Sequence, residues 1–87
     1  MDLAAFLLRT GLRHFISAPS AEVAQGEIAG LIGQPIEPAA FADAIADLLR
    51  GGLIRDPIRL DDQVLQCHWR LELTPAGVAL ARSLTGA

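Results

Sequence analysis

Between Phe41 and Gly77 the spacing of apolar positions changes from helical to alternating and back. Phe41, Ala44, Ile45, Leu48 and Leu49 recur at i, i+3, i+4, i+7 and i+8, which makes one apolar helix face. Glu37 and Pro38 suit the start of that helix, because an acidic residue complements the helix N-terminus and proline lacks only an N–H that would be unbonded there. Gly51 and Gly52 end it, since glycine enters the left-handed conformation without a Cβ penalty. Leu65, Cys67, Trp69, Leu71 and Leu73 then alternate with Gln66, His68, Arg70 and Glu72, which predicts a half-buried strand with its apolar side inward. Its partner is the stretch from Leu53 to about Leu60. Pro57 cannot donate to a ladder, so this partner is expected at a sheet edge or interrupted there. Asp61 and Asp62 form the hairpin tip. Without glycine they predict a looser turn than the tight primed types. Thr74-Pro75 supplies an N-cap and a first-turn proline for a last helix, which Leu80 and Leu84 are expected to carry back onto the core.

Upstream, residues 2 to about 16 predict a first helix with two apolar groups. Leu8, Leu12, Phe15 and Ile16 lie on one side, and Leu3, Phe6 and Leu7 lie nearly opposite. A helix on a small domain needs only one apolar stripe, so the second must be covered by the rest of the chain or by a partner. Leu3, Phe6 and Leu7 are therefore the candidate association face. Residues 17 to 22, SAPSAE, predict a loop, and Val23 to Ile32 a second helix with Ile28, Ala29 and Ile32 inward. Gly33, Gln34 and Pro35 turn the chain into the third helix, with Ile36 as an apolar plug. The order is helix, helix, helix, hairpin, helix. The expected fold is one mainly α domain with a β-hairpin, of the α+β class, spanning residues 1–87.

Composition narrows the reading. A hydrophobic content of 52% with only 20% charged residues fits a small globule whose surface includes a contact face. All seven basic residues are arginine, and the formal net charge is −3. The single cysteine, Cys67, cannot form an internal disulfide and falls on the inward side of its strand, where it acts as a small hydrophobe. The apolar N-terminal run is too short to span a membrane and has no basic leader ahead of it, so a cytoplasmic location is the expectation.

The segment GEIAGLIG, the helix ending DLLRGGLIRD and the hairpin closing in LELTPAGVAL together resemble winged helix-turn-helix regulators of the MarR and PadR type. Residues 27 to 80 carry the likeness, through an E-I-A helix, an L-x-x-x-G-L-I-like junction and an L-T-x-x-G entry to the final helix. The resemblance implies that the third helix enters the major groove and that the hairpin is the wing. By position, Ala39, Ala42, Asp43, Ala46, Asp47 and Arg50 would be the outer, reading face. Arg55, Arg59, Asp61, Asp62 and Arg70 would belong to the wing. The chain departs from the pattern at the tip, where Asp61-Asp62-Gln63 stands in place of a D-x-R signature with basic residues.

Charge opposes a DNA partner. Duplex affinity rests on neutralised phosphates. From Ser20 to Arg50 there are five carboxylates (Glu22, Glu27, Glu37, Asp43 and Asp47) against Arg50 alone, a net of −4 over the two helices that would meet DNA. A DNA reader would need Arg9, Arg13, Arg55, Arg59 and Arg70 to converge on one side. The preferred expectation is a protein partner or a homodimer, with the small alanines of the third helix allowing close approach; DNA binding is the alternative. No catalytic constellation stands out. His14 and His68 lie on different elements, the pairs Asp43/Asp47 and Asp61/Asp62 read as solvent-facing, and no His/Cys/Asp spacing suits a metal. Trp69 reads as core. The expectation is a non-enzymatic module with no cofactor, no membrane segment and no evident small-molecule substrate.

Overall fold

The computed structural model describes residues 3–61 and 66–84, except for the side chains of 59–61, 66 and 67. Four helices and three strands alternate as α1 (Leu3–Arg13), β1 (Ile16–Ala18), α2 (Ala21–Ile32), α3 (Pro38–Arg50), β2 (Ile58–Asp61), β3 (Gln66–Leu71) and α4 (Pro75–Leu84). The strands form one antiparallel sheet in the order β1-β3-β2. The mainly helical, α+β character matches the expectation.

The first difference lies at residues 14–20. Helix α1 stops at Arg13, and its last turn is closed by His14 N–H donating to the Thr10 carbonyl at 2.8 Å. Ile16 does not continue the helix. It opens β1, pairing with Leu71, while Ala18 pairs with Trp69. Both β1 side chains that face the core are buried. Three residues hold less than two periods of alternation, so a strand this short leaves no pattern to read. Phe15, assigned to the apolar side of the first helix, is 75% exposed beyond the helix end.

Helix α2 begins two residues before the expected start. Ser20 is its N-cap, with extended φ/ψ, and its Oγ accepts from Val23 N–H at 3.3 Å. Gly33 closes the helix at φ 86°, donating its N–H to the Ala29 carbonyl. Gln25 Nε2 then donates to the Ile36 carbonyl at 2.6 Å, which fixes the turn into α3 and holds Ile36 against the core. Pro38 opens α3 behind Glu37, as the first-turn chemistry predicts. At the other end Gly51 stays right-handed and Gly52 takes the left-handed φ of 67°, so the second glycine of the pair makes the turn.

The stretch assigned to one strand from Leu53 to Leu60 is divided. Ile54 makes a single bridge to Leu73, Pro57 interrupts the ladder, and β2 follows from Ile58 at the sheet edge. Pro57 still takes part as an acceptor, receiving Arg70 N–H at 2.8 Å. The tip residues between β2 and β3, including Asp62, lie outside the described residues.

The core gathers all layers. Leu7, Leu8, Ile28 and Leu48 are its largest fully buried side chains, joined by Ile16, Phe41, Ile54, Trp69 and Leu71. Phe41 and Trp69 meet with ring centroids 5.6 Å apart in a tilted pair. Helix α4 docks by small residues. Leu80 and Leu84, expected inward, are exposed at about two-fifths of their surface, whereas Gly77 and Ala81 are buried. Gly77 passes so close to the Leu53 carbonyl that a Cβ there would collide with it. A large side chain on that face would hold α4 off the turn after α3. Thr74 ties the same junction, donating its hydroxyl to the Gly52 carbonyl at 2.6 Å and accepting from Gly77 N–H at 3.1 Å.

Candidate interaction site

The expected association face on α1 is not an open seam. Leu7 is fully buried, and Leu3 and Phe6 are half-buried. Helix α1 packs against α2, α3 and α4 at once, which buries Leu7 and Leu8 and leaves Leu3 and Phe6 partly exposed beside Ile36 and Ala40. Leu7 is thus a core residue. The Phe6 ring instead receives the Arg9 guanidinium, 5.7 Å from its centroid.

The outer face of α3 stands where its spacing places it. Ala39, Ala42, Asp43, Ala46, Asp47 and Arg50 are all exposed. Arg50 Nη2 pairs with Asp47 Oδ1 one turn back. That pair ties the single arginine of the α2–α3 segment to a carboxylate of its own helix and leaves Glu22, Glu27, Glu37 and Asp43 as the surrounding charge. All four are exposed. On the hairpin side, Arg55 and Arg70 are exposed, and both are held by their backbones: Arg55 N–H donates to the Glu72 carbonyl, and Arg70 N–H to that of Pro57. The side chains of Arg59 and Asp61 lie outside the described residues.

One flank of α3 does not close against the hairpin. Ala42, Ala46 and Leu49 face Pro57, Ile58 and Trp69 across a groove of about 600 Å³. The buried Phe41 and Ile45 also line it, as do Pro19, Ser20 and Ala21 at the entry to α2. Leu49, expected inward, is 40% exposed, and Ile58 is 65% exposed although it pairs with the buried Trp69 on the same face of the sheet. The hairpin therefore carries its apolar inner face beyond the helices that cover it.

Two polar groups on the groove wall make local hydrogen bonds. Ser20 Oγ accepts from Val23 N–H, and Asp56 Oδ1 accepts from Ile58 N–H at 3.0 Å. The rest of the lining is apolar carbon and the half-buried His68 ring. Sequence reading did not find this groove. Its only signal was an apolar α3 face of five residues, one position broader than the core can cover.

Among the described residues, no group of three or more His, Cys, Asp or Glu side chains is placed to hold a metal ion, and no helix is long and apolar enough to cross a membrane. His14 and His68 line different pockets. No protein-family model matches the chain, and no curated protein or solved structure matches it either.

Proposed function

We propose that the chain is a winged helix-turn-helix domain that works as a non-enzymatic protein-interaction or regulatory module. The order of elements supports the fold reading. A short strand after the first helix joins the hairpin in one sheet, and α3 lies ahead of that hairpin as a recognition helix does ahead of a wing. The observation that carries the functional reading is the character of α3. Its exposed side is acidic and small, its one arginine is paired with Asp47, and its flank opens onto an apolar groove. Apolar, uncharged surface at the centre of a polar rim is the make-up of a protein-contact patch. A phosphate backbone would meet repulsion there.

The second reading is a DNA-binding regulator of MarR/PadR-like type that uses α3 and the wing. Exposed Arg55 and Arg70 beside the hairpin favour it. Fluorescence anisotropy of a labelled random duplex at about 50 mM salt separates the two, because phosphate-driven binding is strongest at low salt and falls steeply as salt rises. The protein-contact reading expects no binding there. Tight, salt-sensitive binding would replace it with the regulator reading.

A further inference from the structure

We propose that the pocket where the C-terminal half of α1 meets the end of α2 binds the phosphate group of a small molecule. The pocket takes nothing from α3 or the hairpin, so it stands independently of the protein-contact reading above.

Its volume is about 180 Å³. Arg9, Thr10, Arg13 and His14, at the end of α1, form its polar side. Phe6 on α1, with Leu31 and Ile32 on α2, forms its apolar side. Thr10, 9% exposed, is the only polar residue among the buried ones described, and it brings a hydroxyl to this lining. Arg9 is half-buried, and the Phe6 ring holds its guanidinium 5.7 Å from the ring centroid.

Charge is counted on both signs. Two arginines and no carboxylate line the pocket. Every residue that flank the lining in sequence, from Ala5 to Phe15 on one side and at Gly30 and Gly33 on the other, is uncharged. Three carboxylates stand around the pocket without lining it. Glu37 borders a separate pocket that shares Phe6 and Ile32, Glu72 borders one that shares Arg13 and His14, and Glu27 lies one turn before Leu31 on α2. The ends of α1 and α2 also count, each equivalent to about half a negative charge, so together they offset about one of the two arginine charges. The lining stays positive within a chain of net charge −3. Arg9 and Arg13 are one helical turn apart, where like charges repel, and among the described residues neither is in an ion pair.

A bound anion removes that repulsion. Two guanidinium groups, a hydroxyl and a ring N–H offer more donors than the two oxygens of a carboxylate can use. A phosphate group presents three acceptor oxygens and up to two charges, which suits this set.

The probes are inorganic phosphate and phenyl phosphate, titrated into the full chain at constant ionic strength and followed by backbone amide and arginine Nε–H signals. Saturable shifts confined to residues 6–14 and 31–32 are expected. Tighter binding of phenyl phosphate supports a phosphate ester whose organic part meets Phe6 and Leu31, and equal binding supports free phosphate. Arg9→Gln and Arg13→Gln should each weaken binding at least about tenfold. Arg55→Gln, at an exposed arginine outside the pocket, should leave it unchanged. Arg13 is exposed, so its variant is expected to fold, and a thermal melt verifies this.

Shifts that do not saturate, shifts spread over all the arginines, or binding that Arg13→Gln leaves unchanged would overturn the proposal. A random duplex that displaces phenyl phosphate, and that Arg13→Gln also weakens, would give these arginines to a nucleic-acid backbone and overturn it too. Failure to bind either phosphate removes the pocket and leaves the reading of α3 untouched, since Arg9 and Arg13 take no part in that surface.

Discussion

Helices α1 and α3 raise opposite versions of one question. Each carries more apolar surface than a single packing contact needs. In α1 the excess is arranged as two groups, and the monomer buries the centre of each, Leu7 and Leu8, where α2, α3 and α4 meet that helix. In α3 the apolar residues form one regular stripe, and its edge is left open at Ala42, Ala46 and Leu49. The helix that looked overexposed buries Leu7 and Leu8, and the helix that looked ordinary borders the open groove. Periodicity ranks positions by polarity. How many neighbours arrive to cover them depends on topology.

Substitutions that break this contrast differ widely in size. The largest effect is expected from Leu7→Asp. Leu7 has no exposed surface, so the variant strands a carboxylate among Leu8, Ile28 and Leu48, at a cost of at least several kcal/mol. A domain of this size commonly has only about 5–15 kcal/mol of stability, so circular dichroism should show an unfolded chain or a steeply lowered melting temperature. A folded Leu7→Asp protein that only loses self-association would restore the α1 face as a seam.

Gly77→Ala should come next. The added methyl meets the Leu53 carbonyl, a backbone atom that cannot swing aside, and α4 must move off the turn after α3. About 2–3 kcal/mol of destabilisation is expected in a denaturant titration. Ser20→Ala removes the α2 N-cap and should cost about 1 kcal/mol by the same measurement. The smallest effect belongs to the open flank. Ala46→Glu replaces an exposed helix residue with another good helix former and should change stability by less than roughly 0.5 kcal/mol. A large loss there would mean that the groove closes in solution.

Much of this architecture is legible in the sequence, for identifiable reasons. The α3 start at Pro38, the stop at Gly51-Gly52, the break at Pro57 and the α4 start at Pro75 all follow from proline and glycine chemistry, which acts locally. Trp69 and Leu71 are buried where alternation places them. One miss is local, the early α2 start set by the Ser20 cap; the others are tertiary. Strand β1 exists because β3 offers it a free edge, and Ile16-Ser17-Ala18 alone do not announce a strand. The inward face of α4 carries Gly77 and Ala81, and the approach to Leu53 admits nothing larger at Gly77, while Leu80 and Leu84 stay about two-fifths exposed. For the site, the exposed alanines and carboxylates of α3 were readable one by one. The groove was not, since it is formed by two segments whose separation no local pattern encodes.

The central claim is that, among the described residues, the apolar surface between α3 and the hairpin is more open than the Leu3/Phe6/Leu7 face of α1. Paramagnetic attenuation of backbone amide signals by a neutral nitroxide cosolute, which collects at exposed apolar surface, tests it without any knowledge of the partner. The account predicts that the signals of Ala42, Ala46, Leu49 and Ile58 fade more than those of Leu3, Phe6 and Leu7. Strongest attenuation along α1, centred on Leu3 and Phe6 with the α3–hairpin signals spared, would contradict it.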